Sequence, residues 1–553
     1  MYSAAPPDAL LASLGLAAEN LGCYDGAAWR AAGEVAPSVC PATGARLASV
    51  RQGTAEDYEA CMAATVAARR AWAATPAPAR GEIVRKIGDA LRAKREALGA
   101  LIALEMGKVL SEGVGEVQEF IDVCDFATGL SRALNGQVIP SERRGHTILE
   151  AWNPLGTVAI VTAFNFPCAV LGWNLALSLA CGNTHIWKGA SSTSLITLAT
   201  ARIVAGVLEA AGAPPGVFTV VTGSGRTIGD RLICDPRAAL VSFTGSTAVG
   251  VRVSEVVHRR FGRTILELGG NNASIVCAEA DMDLALRGSV FGAVGTCGQR
   301  CTSLRRLLVH ASCYDAFTAR LLAAYATVRP GDPLAPGTLL GPLHTAAAVG
   351  EFEEGLAEIA RQGGRVLCGG RVLRGTDALP EALRGGFYVQ PAVVEIAHDA
   401  PIVKQELFVP ILYVIKFETF EEAVAWNNEV PQGLSSSLYT RDMRKVFEWI
   451  GPAGSDCGIV NVNAGTSGAE IGGAFGGGAF GEGGAGAPWP RGAHTRSPRP
   501  VFFPIATRRE GDGRRPRERQ RLVEAVLPAR DEHDQLFQRP AAGAGRCLPY
   551  LSY

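Results

Sequence analysis

Residues 296–303 read Thr-Cys-Gly-Gln-Arg-Cys-Thr-Ser and hold the ingredients of a buried nucleophile. Cys301 supplies sulfur, Gly298 lets the backbone turn tightly and a neighbour approach, and Arg300 puts a fixed cation nearby. A cation beside a thiol favours the thiolate, which is the reactive form. On its own this signal is thin, because a lone cysteine is more often a small buried apolar residue. A second stretch, Glu-Leu-Gly-Gly-Asn-Asn at 267–272, shifts those odds. Cys297 lies four residues before Cys301, but no His or Cys neighbour completes a metal set, so no metal is expected. Cys297 reads as a packing residue, with an oxidation-sensitive partner for Cys301 as the alternative.

The elements that position such residues must come from more than one core. At 553 residues the chain exceeds a single ordinary domain. Hydrophobic residues make up 48% and charged residues 19%, with a formal net charge of zero, which argues against nucleic acid or a membrane surface as partner. Fourteen cysteines are scattered without CxxC pairs, as for reduced thiols in a cytoplasmic enzyme. The N-terminus lacks a basic region, and no apolar run reads as a membrane span; the stretch 168–181 is too short.

Residues 1 to about 50 read as an irregular arm. Thr54 and Asp57 then resemble a capping pair for a helix ending at Pro76. A second helix spans about 79–105, with Gly107 placed to cap it, and a third spans about 112–134. The third carries Glu116, Glu119, Asp122 and Asp125, read as a largely solvated face. Residues 135–152 look like a hairpin with a basic tip. Beyond Pro154, apolar strands alternate with helices, which predicts α/β folding around parallel sheets covered on both faces. Polar residues and glycines punctuate the strand ends at Asn165, Lys188, Gly223, Gly225 and Gly245-Ser246. Ligands bind such sheets at strand carboxyl ends. Phe-Thr-Gly-Ser-Thr at 243–247 is a turn entering a helix, where backbone N–H groups can receive a pyrophosphate.

The motifs FNFP, WKGA, FTGST, ELGGNN, GQRCT and QELFVPI, in this order and spacing, resemble the aldehyde dehydrogenase superfamily from about residue 20 to 477. GPLHT, AWNNEVPQGLSSSLYT and TSGAEIGGAFGG resemble its antiquitin branch. The resemblance implies two Rossmann-like domains and a small oligomerisation hairpin. An NAD-binding domain would comprise 1–134 and 153–264, the hairpin 135–152, and a catalytic domain 265–449. A return segment with a substrate-anchoring loop would occupy 450–477. The implied activity is NAD-dependent oxidation of an aldehyde, α-aminoadipic semialdehyde in lysine catabolism being the favoured substrate. Another amino- or carboxy-semialdehyde, or cofactor binding with poor activity, is the alternative.

By this resemblance Cys301 is the nucleophile, Glu267 activates the hydrolytic water, and Asn165 with the Cys301 N–H stabilises an oxyanion. The cofactor would contact Thr162, Ala163, Phe164, Lys188, Gly225, Gly245, Ser246, Leu268, Gly269, Glu406 and Phe408. The substrate would contact Glu119, Arg300, Thr302, Gly468 and Ala469, with Glu119 on its ammonium and Arg300 on its carboxylate. Many relatives carry a ribose-binding glutamate three places after the lysine, where this chain has Ser191, so NAD over NADP follows from the branch rather than the residues. A homotetramer is the family expectation.

After Gly477 the motifs stop. Residues 478–553 are rich in Arg, Gly and Pro and contain no Lys. They read as a disordered tail with the composition of a translated wrong frame, which puts assembly in question.

Overall fold

The computed structural model describes residues 7–374 and 379–472, together with a short strand, Ala506–Thr507, that pairs antiparallel with Asn153–Pro154. The sequence-based expectation for residues 478–553 otherwise lies outside the described residues.

Two seven-stranded sheets organise the described residues. The first comprises β1 (Cys23–Tyr24), β2 (Trp29–Arg30), β3 (Thr157–Val161), β4 (Thr184–Lys188), β5 (Phe218–Val221), β6 (Ala238–Thr244) and β7 (Arg263–Glu267), in the spatial order β7-β6-β3-β4-β5-β1-β2. The strands β7 to β5 are mutually parallel, and β1 and β2 join antiparallel. The order reverses between β3 and β6, which opens a crevice at their carboxyl ends. The second sheet comprises β8 (Asn272–Val276), β9 (Leu304–His310), β10 (Arg365–Cys368), β11 (Ala392–Glu395), β12 (Ile411–Phe417), β13 (Ser435–Tyr439) and β14 (Ile459–Val462), in the order β10-β11-β12-β9-β8-β13-β14. Only β10 runs antiparallel to its neighbour.

Burial on both faces explains the unbroken apolar strands. All five residues of β4 are buried, and so are all five of β8 and of β13. Each Val, Ile or Leu so buried contributes roughly 1.5–3 kcal/mol. Hydroxyls in β4 and β13 are tolerated because they find partners: Ser435 and Ser437 donate to the carbonyls of Thr466 and Ala464.

In α1 (Ala55–Ala74) the Asp57 N–H donates to Thr54 Oγ1 (3.2 Å) and the Thr54 N–H to Asp57 (2.9 Å), the reciprocal cap the spacing predicts. α2 (Ala77–Met106) ends at Gly107, whose φ of 100° is the left-handed conformation that ends helices. α3 (Leu110–Leu130) packs along α2 and against α4 (Ala169–Ala180).

Three expectations are corrected. The first 50 residues are not an irregular arm: a helix, Pro7–Ser13, and five strands of two to six residues occupy them. Such short strands carry no period and owe their form to distant partners, β5 among them. Secondly, Ser191–Ala210 is long and apolar enough to pass as a membrane span, but two-thirds of it is buried inside the protein, where it packs on α2. Thirdly, α3 is not a merely solvated face: Glu116 is 2% exposed and Glu119 is half-buried, while Asp122 and Asp125 are exposed. Residues 138–149 do form a hairpin, Val138–Pro140 with Thr147–Leu149.

Candidate active site

A cavity of about 1190 Å³ lies between the carboxyl ends of the first sheet and the amino ends of the second. Asn165, Glu267 and Cys301 all line it. Glu267 ends β7, and only four residues separate it from β8. Cys301 precedes β9, whose first residue, Leu304, pairs with Asn272 at the start of β8. Cys301 thus stands at the amino ends of its own sheet, opposite the rule that serves the first.

The ELGGNN stretch ties these parts together. Asn272 Nδ2 donates to the carbonyls of Cys301 (2.7 Å) and Ser303 (2.8 Å), and its Oδ1 accepts the Ser435 N–H. The Gly270 N–H donates to Glu406 at 3.0 Å. A Cβ on Gly270 would lie 2.2 Å from the Cys301 carbonyl oxygen, and one on Gly269 would lie 1.9 Å from the Glu406 carboxylate. Glycine is required at 270 because backbone occupies the space of a side chain, whereas at 269 a side chain would displace the end of Glu406.

The Cys301 loop enters through a left-handed turn. Thr296 (φ 51°, ψ 33°) and Cys297 (φ 52°, ψ 42°) precede Gly298 at φ 69°. Two side-chain-bearing residues in this conformation store roughly 1–2 kcal/mol each. A Cβ on Gly298 would meet the Pro410 backbone at 2.7 Å, so the loop is pressed against the segment bearing Glu406 and Phe408. Gln299 braces it, accepting the His344 N–H at 3.0 Å and donating to the Thr296 carbonyl at 3.1 Å. Asn165 donates one amide N–H to the Gln299 carbonyl at 2.9 Å, leaving its second for a ligand.

Arg300 does not act on the thiol as its position in sequence predicts. Its guanidinium pairs with Glu112 and donates to Thr296 Oγ1 at 2.9 Å. Burial, then Glu267 and Glu406, push the Cys301 thiol up to about 12, against the backbone N–H groups of Thr302 and Cys301 that favour its anion. Burial alone raises Glu267 to about 7, within the working range of a general base. Glu119 also rises to about 7, through burial and the nearby Glu116, despite Lys108, Arg300 and a hydrogen bond from Trp173.

Most cofactor candidates share the cavity: Ala163, Phe164, Gly245, Ser246, Leu268, Gly269, Glu406 and Phe408 line it. Ser246 is the N-cap of Thr247–Arg259 and makes no capping bond, so that helix offers free N–H groups. Thr244 Oγ1, also in the wall, is buried without a partner. An uncapped helix start and an orphaned hydroxyl suit a dinucleotide pyrophosphate. Thr162, Lys188 and Gly225 do not line the cavity. The Thr162 hydroxyl accepts the Trp187 indole N–H at 3.1 Å, and Lys188, its ammonium lowered to about 8 by burial, donates to Gly189. Gly225 opens a turn, Gly225–Gly229, whose Gly229 faces Lys188.

At the substrate end, Glu119, Arg300, Thr302 and Ala469 line the cavity. Gly468 does not; its N–H closes a turn onto the Gly465 carbonyl (3.1 Å) and cannot also anchor a ligand. Thr302 Oγ1 donates to Ser467 at 3.2 Å. Sequence reasoning missed Glu112, Trp173, Asn272 and His344. His344 lines the wall stacked on Phe164 (4.5 Å), with Nε2 buried and unpartnered. For Glu112, its spacing of four and seven residues from Glu116 and Glu119 was the available signal. Cys297 is 2% exposed within the second core, in keeping with a packing role.

The doubly wound first sheet, with a cysteine and a carboxylate in the wall of one cavity at its strand ends, fits a nicotinamide-dependent oxidoreductase. Residues 29–489 match the aldehyde dehydrogenase family, and the chain belongs to it. The match runs past Gly477, where the quoted motifs end. A Dictyostelium discoideum aldehyde dehydrogenase family 7 member A1 homologue is 58% identical over 84% of this chain and 90% of its own length. Alpha-aminoadipic semialdehyde dehydrogenase of Mus musculus is 52% identical over 85% of each chain. Among solved structures, an NADP-dependent enzyme of Escherichia coli is 32% identical, with a TM-score of 0.78 over 83% of this chain and 92% of that one. The protein is an aldehyde-oxidising enzyme that uses a nicotinamide cofactor.

Proposed function

We propose that the chain oxidises α-aminoadipic semialdehyde to α-aminoadipate in lysine catabolism, with NAD rather than NADP as cofactor. The observation that carries this reading is the sharing of one cavity by Cys301, Glu267, Glu119 and Arg300. A carboxylate, ionised above about pH 7, at one side and a guanidinium at another match the ammonium and carboxylate of an amino-acid tail. Relatives named for this substrate support the choice.

In the proposed reaction the Cys301 thiol loses its proton to solvent and the thiolate sulfur bonds to the aldehyde carbon. The free N–H of Asn165 and the Cys301 N–H receive the oxyanion, a role worth about 3 kcal/mol per well-placed donor. A bound nicotinamide would supply the hydride acceptor, and Cys301 would then carry the acyl group as a thioester. Glu267 then takes a proton from water, which attacks the thioester, expels the thiolate and yields the carboxylate. Ala163, Phe164, Gly245, Ser246, Leu268, Gly269, Glu406 and Phe408 would hold the dinucleotide, with Thr162, Lys188 and Gly225 flanking it. Thr302 and Ala469 would contact the substrate. A homotetramer remains part of the proposal on family resemblance, and a cytoplasmic location on composition and the scattered cysteines.

The test is NADH formation by purified protein with semialdehydes differing in length and terminal charge. The highest kcat/KM is expected for the six-carbon amino-acid semialdehyde. An equal value for a plain aliphatic aldehyde of that length would reject the substrate, and equal use of NADP would reject the cofactor preference.

A further inference from the structure

We propose that Glu112 is a positioning residue that holds the nucleophile loop in its left-handed turn; the inference rests on the reading of Cys301 as nucleophile. Glu112 stands in the first turn of α3, across 184 residues of sequence from the loop it contacts. Its carboxylate accepts the Thr296 N–H at 2.9 Å and the Thr296 hydroxyl at 3.2 Å, and it pairs with Arg300. Arg300 in turn donates to Thr296 Oγ1, so carboxylate, hydroxyl and guanidinium form a closed set of bonds. The Glu112 and Arg300 side chains are 10% and 13% exposed, where a charge-assisted bond is strong and an orphaned charge is costly.

The bonds converge on the residue that most needs them. Thr296 is β-branched, and its φ of 51° is a conformation such residues avoid. The N–H of Thr296, turned outward by that conformation, has Glu112 as its acceptor. Five residues on, Cys301 takes its orientation from this turn and from the Asn272 bond behind it.

The same helix face serves the opposite wall. Glu116, one turn after Glu112, accepts the N–H groups of Cys168 (2.7 Å) and Ala169 (3.1 Å) at the start of α4 and pairs with the buried Lys108 at 2.8 Å. Those N–H groups follow Asn165 by three and four residues. One face of α3 thereby fixes the spacing between the nucleophile loop and the Asn165 loop, while Glu119, one turn further, is left to the cavity.

The experiment measures steady-state kinetics with a plain aliphatic aldehyde, which bypasses Glu119 and any choice of tail, alongside NAD affinity and thermal midpoint. Glu112→Ala should lower kcat by about 100-fold, as an ångström-scale misplacement does, with KM and NAD affinity within about two-fold. Glu112→Gln keeps an oxygen for the Thr296 N–H and should lose only about 10-fold, and it carries the test if the alanine variant does not fold. Adding Thr296→Gly to Glu112→Ala should restore part of the lost kcat, because glycine takes the left-handed conformation unaided. Unchanged kcat in Glu112→Ala, a loss confined to the thermal midpoint, or no recovery with Thr296→Gly would overturn the proposal. Loss of turnover with the amino-semialdehyde alone would also overturn it, since Glu112 would then act through Arg300 on the substrate tail and not on the loop.

Discussion

Replacing Glu267 by glutamine tests both the chemistry and the electrostatics of the site. Burial raises the carboxyl from 4.5 to about 7 in the folded protein. Between those values the folded form keeps a proton that the unfolded chain releases, so stability is greatest below 4.5 and is lost as pH rises through 7. Once both states are ionised the penalty is about 3 kcal/mol, from about 1.4 kcal/mol per pKa unit. Glutamine has the same shape and carries no charge to desolvate. Glu267→Gln should therefore be more stable than wild type by about 3 kcal/mol near pH 8.5, and by less than about 1 kcal/mol near pH 5. For a cooperative unit on the order of 460 residues that is a rise of ~3 °C in Tm at the higher pH. Thermal unfolding of the apoprotein at the two pH values reads this, and stopped-flow NADH fluorescence reads the chemistry. The variant should give one burst of NADH, close to one per active site, and then stall for want of a base. Equal Tm differences at both pH values would refute the electrostatic account, and sustained turnover would remove Glu267 from the hydrolysis step.

Two further substitutions and one pH profile test the same geometry. Glu119→Gln should raise KM for the amino-semialdehyde by roughly 10-fold or more while sparing an aliphatic aldehyde. In the wild type, that KM should climb as pH falls below 7, where Glu119 becomes neutral; a flat profile would exclude Glu119 from ammonium binding. Gly270→Ala should destabilise by roughly 1–3 kcal/mol and lower kcat by about 100-fold, since its Cβ would force the Cys301 carbonyl aside, and normal kinetics in the purified variant would show that the loop can yield.

The amino-acid sequence alone determined the parallel α/β character, the cap at Thr54, the helix stop at Gly107 and the two short motifs that carry Cys301 and Glu267. These rest on signals local in the chain: unbroken apolar runs, capping chemistry, glycine, and short motifs whose members lie within a few residues. It did not determine where charges go. Arg300 looked like a neighbour of the thiol because it precedes it by one residue, yet its guanidinium turns to Glu112 on a helix formed nearly two hundred positions earlier. Glu116 looked like a solvated charge because helical periodicity counts faces, not what covers them, and only the docking of α4 buries it. The short strands near the N-terminus were illegible for the same reason, since β1 exists by virtue of β5. Covalent neighbours set propensity and motif. Desolvation and ion pairing are properties of what surrounds a group in space, and tertiary packing alone decides them.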